Sequence, residues 1–162
     1  DEFTMTYLRR ALFGALTGPM PLGDKVRPLT SGRAKGQLCG GNLSLVQNSL
    51  GTPWEIDTRG KILFLEDVDE KTYHLDVMLT QLRNAGKFDD CDGLLLGDWT
   101  DCVPERPELT LTLEEIIRET ILPAGKPVLS GLPAGHSLPT MSLPMGATVS
   151  MDADAKTLEV CV

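Results

Sequence analysis

Three short apolar runs in this 162-residue chain each end near a group able to move a proton or hold a charge. Ile62-Leu63-Phe64-Leu65 runs into Glu66 and Asp67, Gly93-Leu94-Leu95-Leu96 into Gly97 and Asp98, and Pro127-Val128-Leu129 precedes Gly131-Leu132-Pro133-Ala134-Gly135-His136. Uninterrupted apolar runs of this length read as strands buried on both faces. In open α/β sheets ligands collect beyond the carboxyl ends of such strands, where loops hold polar groups against a rigid base. A carboxylate and an imidazole raised there together form the pair in which the carboxylate fixes the tautomer of a general-base histidine. Spacing alone leaves other readings open. Glu66 could be a carboxylate satisfied by backbone amides, and Glu66-Asp67 could ligate a metal, although few further ligands stand near them. His136 lies between Gly and Pro residues, and a rigid turn suits a packed core histidine less well than a helix does.

Other polar and aromatic residues carry weaker signals. His74 lies beside an apolar helical stripe with no motif around it, which favours a structural or solvent role. Trp54 and Trp99 read as packing residues. Asp89, Asp90 and Asp92 lack the ligand spacing and terminal Glu of a calcium loop and read as a solvated loop. Cys39, Cys91, Cys102 and Cys161 form no C-x-x-C pair and read as reduced thiols, without a metal or redox centre.

The elements that must position these groups follow from periodicity. Residues 4–16 place Tyr7, Leu8, Ala11, Leu12 and Ala15 at helical spacing before Gly18-Pro19 and Pro21, and an irregular connector runs from there to Thr30. Gln37-Leu38-Cys39 reads as a short strand, Gly40-Gly41 as a tight turn, and Asn42 as the N-cap of a helix to about Leu50, stopped by Gly51. Leu75, Met78, Leu79 and Leu82 mark a helix that Gly86 ends. Thr112-Leu113-Glu114-Glu115 is a capping box for a helix closed by Pro123. Residues 147–151 and 157–162 alternate around Asp152-Ala153-Asp154-Ala155-Lys156 and read as a hairpin. Strands alternating with helices, then an antiparallel finish, define an α/β domain with a partly parallel sheet.

Composition excludes several classes. A formal charge of -8 with no basic run argues against nucleic acid. No stretch approaches the roughly 20 apolar residues that span a bilayer, and the run after Arg9-Arg10 is too short for a signal peptide. A soluble protein is the expectation.

Six motifs recur in an order that resembles the LD-carboxypeptidase family: Gly40-Gly41-Asn42-Leu43, Leu50-Gly51-Thr52-Pro53-Trp54-Glu55-Ile56-Asp57, Lys61-Ile62-Leu63-Phe64-Leu65-Glu66-Asp67, Met78-Leu79-Thr80-Gln81-Leu82, Leu96-Gly97-Asp98-Trp99-Thr100-Asp101-Cys102 and Gly131-Leu132-Pro133-Ala134-Gly135-His136. The resemblance covers about residues 1–160. It implies a swivelling β/β/α layered domain over residues 31–162, preceded over residues 1–30 by an inter-domain segment with a short helix. It also implies Glu66 and His136 as members of a Ser-Glu-His triad, and Asn42, on the substrate-cleft turn, as a substrate contact.

In that family the serine sits on a Gly-x-Ser-Asp turn of a preceding Rossmann-like domain. None of the seven serines here lies in such an elbow, and Ser137 adjoins His136 too closely in the chain to meet it as nucleophile meets base. The resemblance therefore implies a C-terminal domain, inactive alone, whose partner is the N-terminal domain of the same enzyme. The activity implied is release of D-alanine from murein tetrapeptides in cytoplasmic cell-wall recycling, without metal or cofactor. Homodimers recur in the family. A second branch cleaves a nucleotide-peptide antibiotic and confers immunity; it tends to carry Arg three positions after the Glu, where this chain has Asp69. A non-enzymatic peptide-binding or interaction module is the alternative from another class.

Overall fold

The apolar runs form the middle of one mixed sheet. In the computed structural model, which describes residues 1–14, 16–104 and 106–161, the elements in chain order are α1 (Glu2–Leu12), β1 (Gly18–Pro19), β2 (Arg27–Thr30), β3 (Arg33–Asn42), α2 (Leu43–Ser49), β4 (Lys61–Val68), α3 (Thr72–Asn84), α4 (Lys87–Asp90), β5 (Gly93–Thr100), α5 (Leu113–Thr120), a 3-10 turn over Leu122–Ala124, β6 (Val128–Ser130), β7 (Thr148–Asp152) and β8 (Thr157–Val160). The eight strands lie in the order β1-β8-β7-β3-β4-β5-β6-β2. Neighbours from β3 through β6 pair in parallel. The flanking pairs β3–β7, β7–β8, β1–β8 and β2–β6 are antiparallel. The sheet is thus partly parallel, with its long apolar strands at the centre.

Alternation along β4 divides the core in two. Ile62 and Phe64 face a cluster built from Tyr7, Leu16, Met20, Leu22, Val26 and the segment after β6, including Leu132, Ala134 and Met141. Leu63 and Leu65 face α2, α3 and α5 through Leu43, Leu75, Leu79, Leu82, Ile116 and Ile117. Each fully buried aliphatic side chain contributes about 1.5–3 kcal/mol relative to exposure, so β4 and β5 form a stiff base for the groups at their ends.

Most helices follow their sequence signals. Asn42 caps α2 by accepting from the Leu45 N–H, α3 buries Leu75, Met78, Leu79 and Leu82, and both halves of the capping box at Thr112 and Glu115 are made. The first helix is shifted: Asp1 caps it by accepting from the Thr4 N–H, so it starts at Glu2 and ends at Leu12. Ala15 and Val162, expected in the first helix and the last strand, lie outside the described residues.

Four expectations are corrected. Gly40-Gly41 is not a tight turn but part of β3, paired in parallel with Phe64 and Leu65. At Gly40, φ is +113° and an added Cβ would lie 1.9 Å from the Phe64 carbonyl oxygen, so the pair of glycines marks close approach of two strands. The connector before Thr30 supplies edge strand β2, and Gly18-Pro19 is a strand pairing with β8. Asp89 and Asp90 belong to the short helix α4, since Lys87 and Phe88 beside them are buried and fix that turn. Trp54 is no packing residue: it is 83% exposed, on a loop closed by its own bonds, including the Gly51 N–H to Glu55 Oε2 at 2.6 Å.

The cysteines are free. Burial pushes the Cys39 thiol up to about 11 and the Cys91 thiol up to about 12, so both stay protonated and unreactive at neutral pH. No helix among the described residues is long and apolar enough to cross a membrane.

Candidate active site

Glu66 stands near the end of β4, on the same side as Ile62 and Phe64. Its neighbour across the parallel register is Asn42, the last residue of β3. The segment after β6 folds back over this end of the sheet. The Leu132 N–H donates to the Leu96 carbonyl at 3.1 Å, and the Asp98 N–H to the Ala134 carbonyl at 2.9 Å. β5 carries two residues, Gly97 and Asp98, against the single Glu66 of β4, and this bulge re-aims the strand where the folded-back segment crosses it.

That crossing delivers His136 onto Glu66. Glu66 Oε2 accepts from His136 Nδ1 at 2.8 Å and from the His136 backbone N–H at 3.2 Å. Glu66 is 4% exposed, whereas the His136 side chain is 55% exposed. The carboxylate is therefore held in the wall of the site and the imidazole projects from it. With Nδ1 donating to the carboxylate, Nε2 carries the lone pair, and no partner for Nε2 is found among the described residues. The hydrogen bond from Glu66, then its negative charge and that of Asp67, raise the His136 pKa above its ordinary 6.5.

Gly135 is required for this contact. Its φ is +132°, and an added Cβ would lie 2.6 Å from Glu66 Oε2. No larger residue leaves the carboxylate where it is.

Asp67 turns to the opposite side of the sheet. It is 2% exposed; its Oδ2 accepts from the Ser44 N–H at 3.1 Å and the Ser44 hydroxyl at 2.8 Å, and its Oδ1 from Asn42 Nδ2 at 2.8 Å. Glu66 and Asp67 therefore do not converge on one metal ion. Among the described residues no group of three or more His, Cys, Asp or Glu is placed to hold one. Asn42 spends its side-chain oxygen on the Leu45 N–H and one amide hydrogen on Asp67, which leaves one hydrogen free for a ligand.

Asp98 does not join the Glu66–His136 pair; it accepts from the Ser137 hydroxyl. His74 is bonded to Glu70 at 2.9 Å on an exposed helix face, remote in role from the site. Sequence reasoning missed the part of Asp67 and Ser44. Period-two alternation after Leu63 and Leu65 was the available signal, since it places Asp67 on the helical side of the sheet.

A buried carboxylate at the ends of parallel strands holds an exposed imidazole with its Nε2 free to accept a proton. Residues 35–151 match the LD-carboxypeptidase C-terminal domain, and the chain belongs to the LD-carboxypeptidase family. It is similar to a probable murein peptide carboxypeptidase of Bacillus subtilis, 47% identical over 137 residues, covering 83% of this chain and 43% of that protein. It is also similar to the microcin C7 self-immunity protein MccF of Escherichia coli, 28% identical over 133 residues, covering 80% of this chain and 38% of that protein. Among solved structures, muramoyltetrapeptide carboxypeptidase from Oxalobacter formigenes superposes with a TM-score of 0.79 at 25% identity, over 99% of this chain and 54% of that one. The chain thus spans about half the length, or less, of these relatives.

Proposed function

We propose that Glu66 and His136 are the carboxylate and imidazole of a Ser-Glu-His triad in a serine-type LD-carboxypeptidase, the serine being supplied by a preceding domain. The observation that carries this reading is the 2.8 Å bond between His136 Nδ1 and buried Glu66. It selects the tautomer whose Nε2 can take a proton. In the reaction, Nε2 would remove the serine proton as the hydroxyl attacks the carbonyl of the penultimate L-centre, then pass that proton to the amine of the departing D-residue. Water, deprotonated by the same nitrogen, would release the acyl group. Glu66 stabilises the imidazolium through each step without taking the proton itself. Asn42 would donate its remaining amide hydrogen to the bound peptide.

The substrate class we favour is the murein tetrapeptide, with D-alanine as the product, in cytoplasmic cell-wall recycling. The greater identity to the murein-type relative than to the microcin-type relative, and Asp69 where the latter branch tends to place Arg, support that choice. The test is D-alanine release from a murein tetrapeptide by the protein carrying both domains, with the present chain assayed beside it. Turnover by the two-domain protein and none by the chain alone is the expected result. Turnover by the chain alone would shift the nucleophile to one of its own serines. Cleavage of a nucleotide-peptide conjugate in place of the murein peptide would select the immunity reading, and binding without cleavage of either would select an interaction module.

A further inference from the structure

The peptide group between Gly135 and His136 is held at both ends. Its N–H donates to Glu66 Oε2 at 3.2 Å, and its carbonyl accepts from the Thr140 hydroxyl at 3.2 Å. Gly135 does not set this orientation by itself, because a glycine has no Cβ to restrict how the peptide turns. Packing does not set it either, since the His136 side chain is 55% exposed. The plane of the peptide, and with it the direction in which the imidazole leaves the chain, depends on these two partners.

Thr140 is fixed in turn from α1. Its backbone N–H donates to Thr4 Oγ1 at 3.0 Å, and the Thr4 hydroxyl donates to Asp1 Oδ2 at 3.0 Å. An ionised carboxylate only accepts, so the single Thr4 hydroxyl proton points to Asp1 and a lone pair is left facing Thr140. Asp1 caps α1, and α1 is docked through Tyr7, which is buried in the same core cluster as Met141, the residue after Thr140. The Met141 N–H donates to the Pro133 carbonyl at 2.6 Å and closes the loop that carries His136.

We infer that Thr140 and Thr4 are positioning residues for His136: Thr140 holds the Gly135 carbonyl, Thr4 holds Thr140, and docked helix α1 thereby sets the plane of the Gly135–His136 peptide. The inference rests on the proposed peptidase function for its kinetic consequence, whereas the geometry of His136 can be read without turnover. Misplacing a catalytic group by about 1 Å costs on the order of 10²-fold in rate, so a smaller turn of this peptide is expected to cost about tenfold.

The experiment places Thr140→Val, Thr140→Ser, Thr4→Val and Thr4→Ser in the two-domain protein. Each is read by the His136 midpoint in a histidine NMR titration and by D-alanine release from a murein tetrapeptide. Thr140→Val should bring the midpoint down toward 6.5, because a turned peptide loosens the Glu66 hydrogen bond that raises it. It should also lower kcat by about tenfold with KM changed by less than about twofold. Thr4→Val should shift both in the same direction, and each serine variant, which keeps the hydroxyl, should restore both. A wild-type midpoint and kcat in the valine variants, even with a lower melting temperature, would leave the two threonines a structural role and overturn the inference, as would serine variants as impaired as the valine ones. Failure of every form, wild type included, to release D-alanine would instead count against the peptidase reading, and the midpoints would still decide the positioning.

Discussion

One oxygen of Glu66 binds His136 twice, through the ring Nδ1 at 2.8 Å and through the backbone N–H at 3.2 Å. The backbone bond fixes where the residue sits, and the ring bond fixes how its imidazole turns. A carboxylate doing both is a single point on which the geometry of the site depends.

Gly135→Ala should test that point from the backbone side. The substitution puts a Cβ 2.6 Å from Glu66 Oε2 at a φ of +132°. Strain of this kind costs about 1–3 kcal/mol, and relief requires moving the carboxylate. A fall in melting temperature should accompany loss of the His136–Glu66 coupling in a histidine NMR titration.

The pH behaviour of His136 follows from the same contact. Its pKa is raised above 6.5, first by the Glu66 hydrogen bond and then by the charges of Glu66 and Asp67. The contribution of protonated His136 to folding stability is therefore complete below about pH 6.5 and is lost as pH rises through the raised folded value. If His136 is the general base proposed above, it must be neutral to act, so the midpoint of the acid limb of kcat/KM in the two-domain protein should lie above pH 6.5, and Glu66→Gln should move the His136 midpoint downward. A midpoint unmoved in Glu66→Gln would remove Glu66 as the cause.

Gly40→Ala should destabilise the whole sheet. The added Cβ would sit 1.9 Å from the Phe64 carbonyl oxygen at a φ of +113°, between the two central strands that carry Asn42 and Glu66. A loss of at least about 3 kcal/mol is expected in urea unfolding.

Thr112→Ala serves as the contrasting case. It removes the N-cap of α5, on the helical face of the sheet, and should cost about 1 kcal/mol of stability with no change in the His136 titration.

Much of this arrangement is legible in the chain itself. The runs at residues 62–65 and 93–96 are apolar throughout, a pattern that suits only strands covered on both sides, and they place Glu66 at a strand end. The helix containing Leu75, Met78, Leu79 and Leu82 and the capping box at Thr112 are equally direct, because local spacing decides them. The errors came where long-range pairing decides. β2 contains Arg27 and Pro28 and has no apolar alternation, and it is a strand because β6 offers it an edge. Gly40-Gly41 has turn chemistry but is drawn straight by its pairing with β4. Trp54 is exposed because residues 51–55 close on themselves rather than on the core. At the site, spacing alone leaves Glu66 and His136 open and it is the family resemblance that implies their meeting, while the bonding of Asp67 to Asn42 and Ser44 depends on α2 folding back over β4.

The most direct test of the Glu66–His136 pair is steady-state kinetics of the two-domain protein with Glu66→Gln, His136→Ala and both together, read as D-alanine release from a murein tetrapeptide. By analogy with the orienting carboxylate of serine proteases, Glu66→Gln should lower kcat by about 10⁴. His136→Ala should cost at least as much and the double variant little more, because members of one catalytic unit are not additive. Near-normal kcat in Glu66→Gln would contradict the account and return Glu66 to a structural carboxylate.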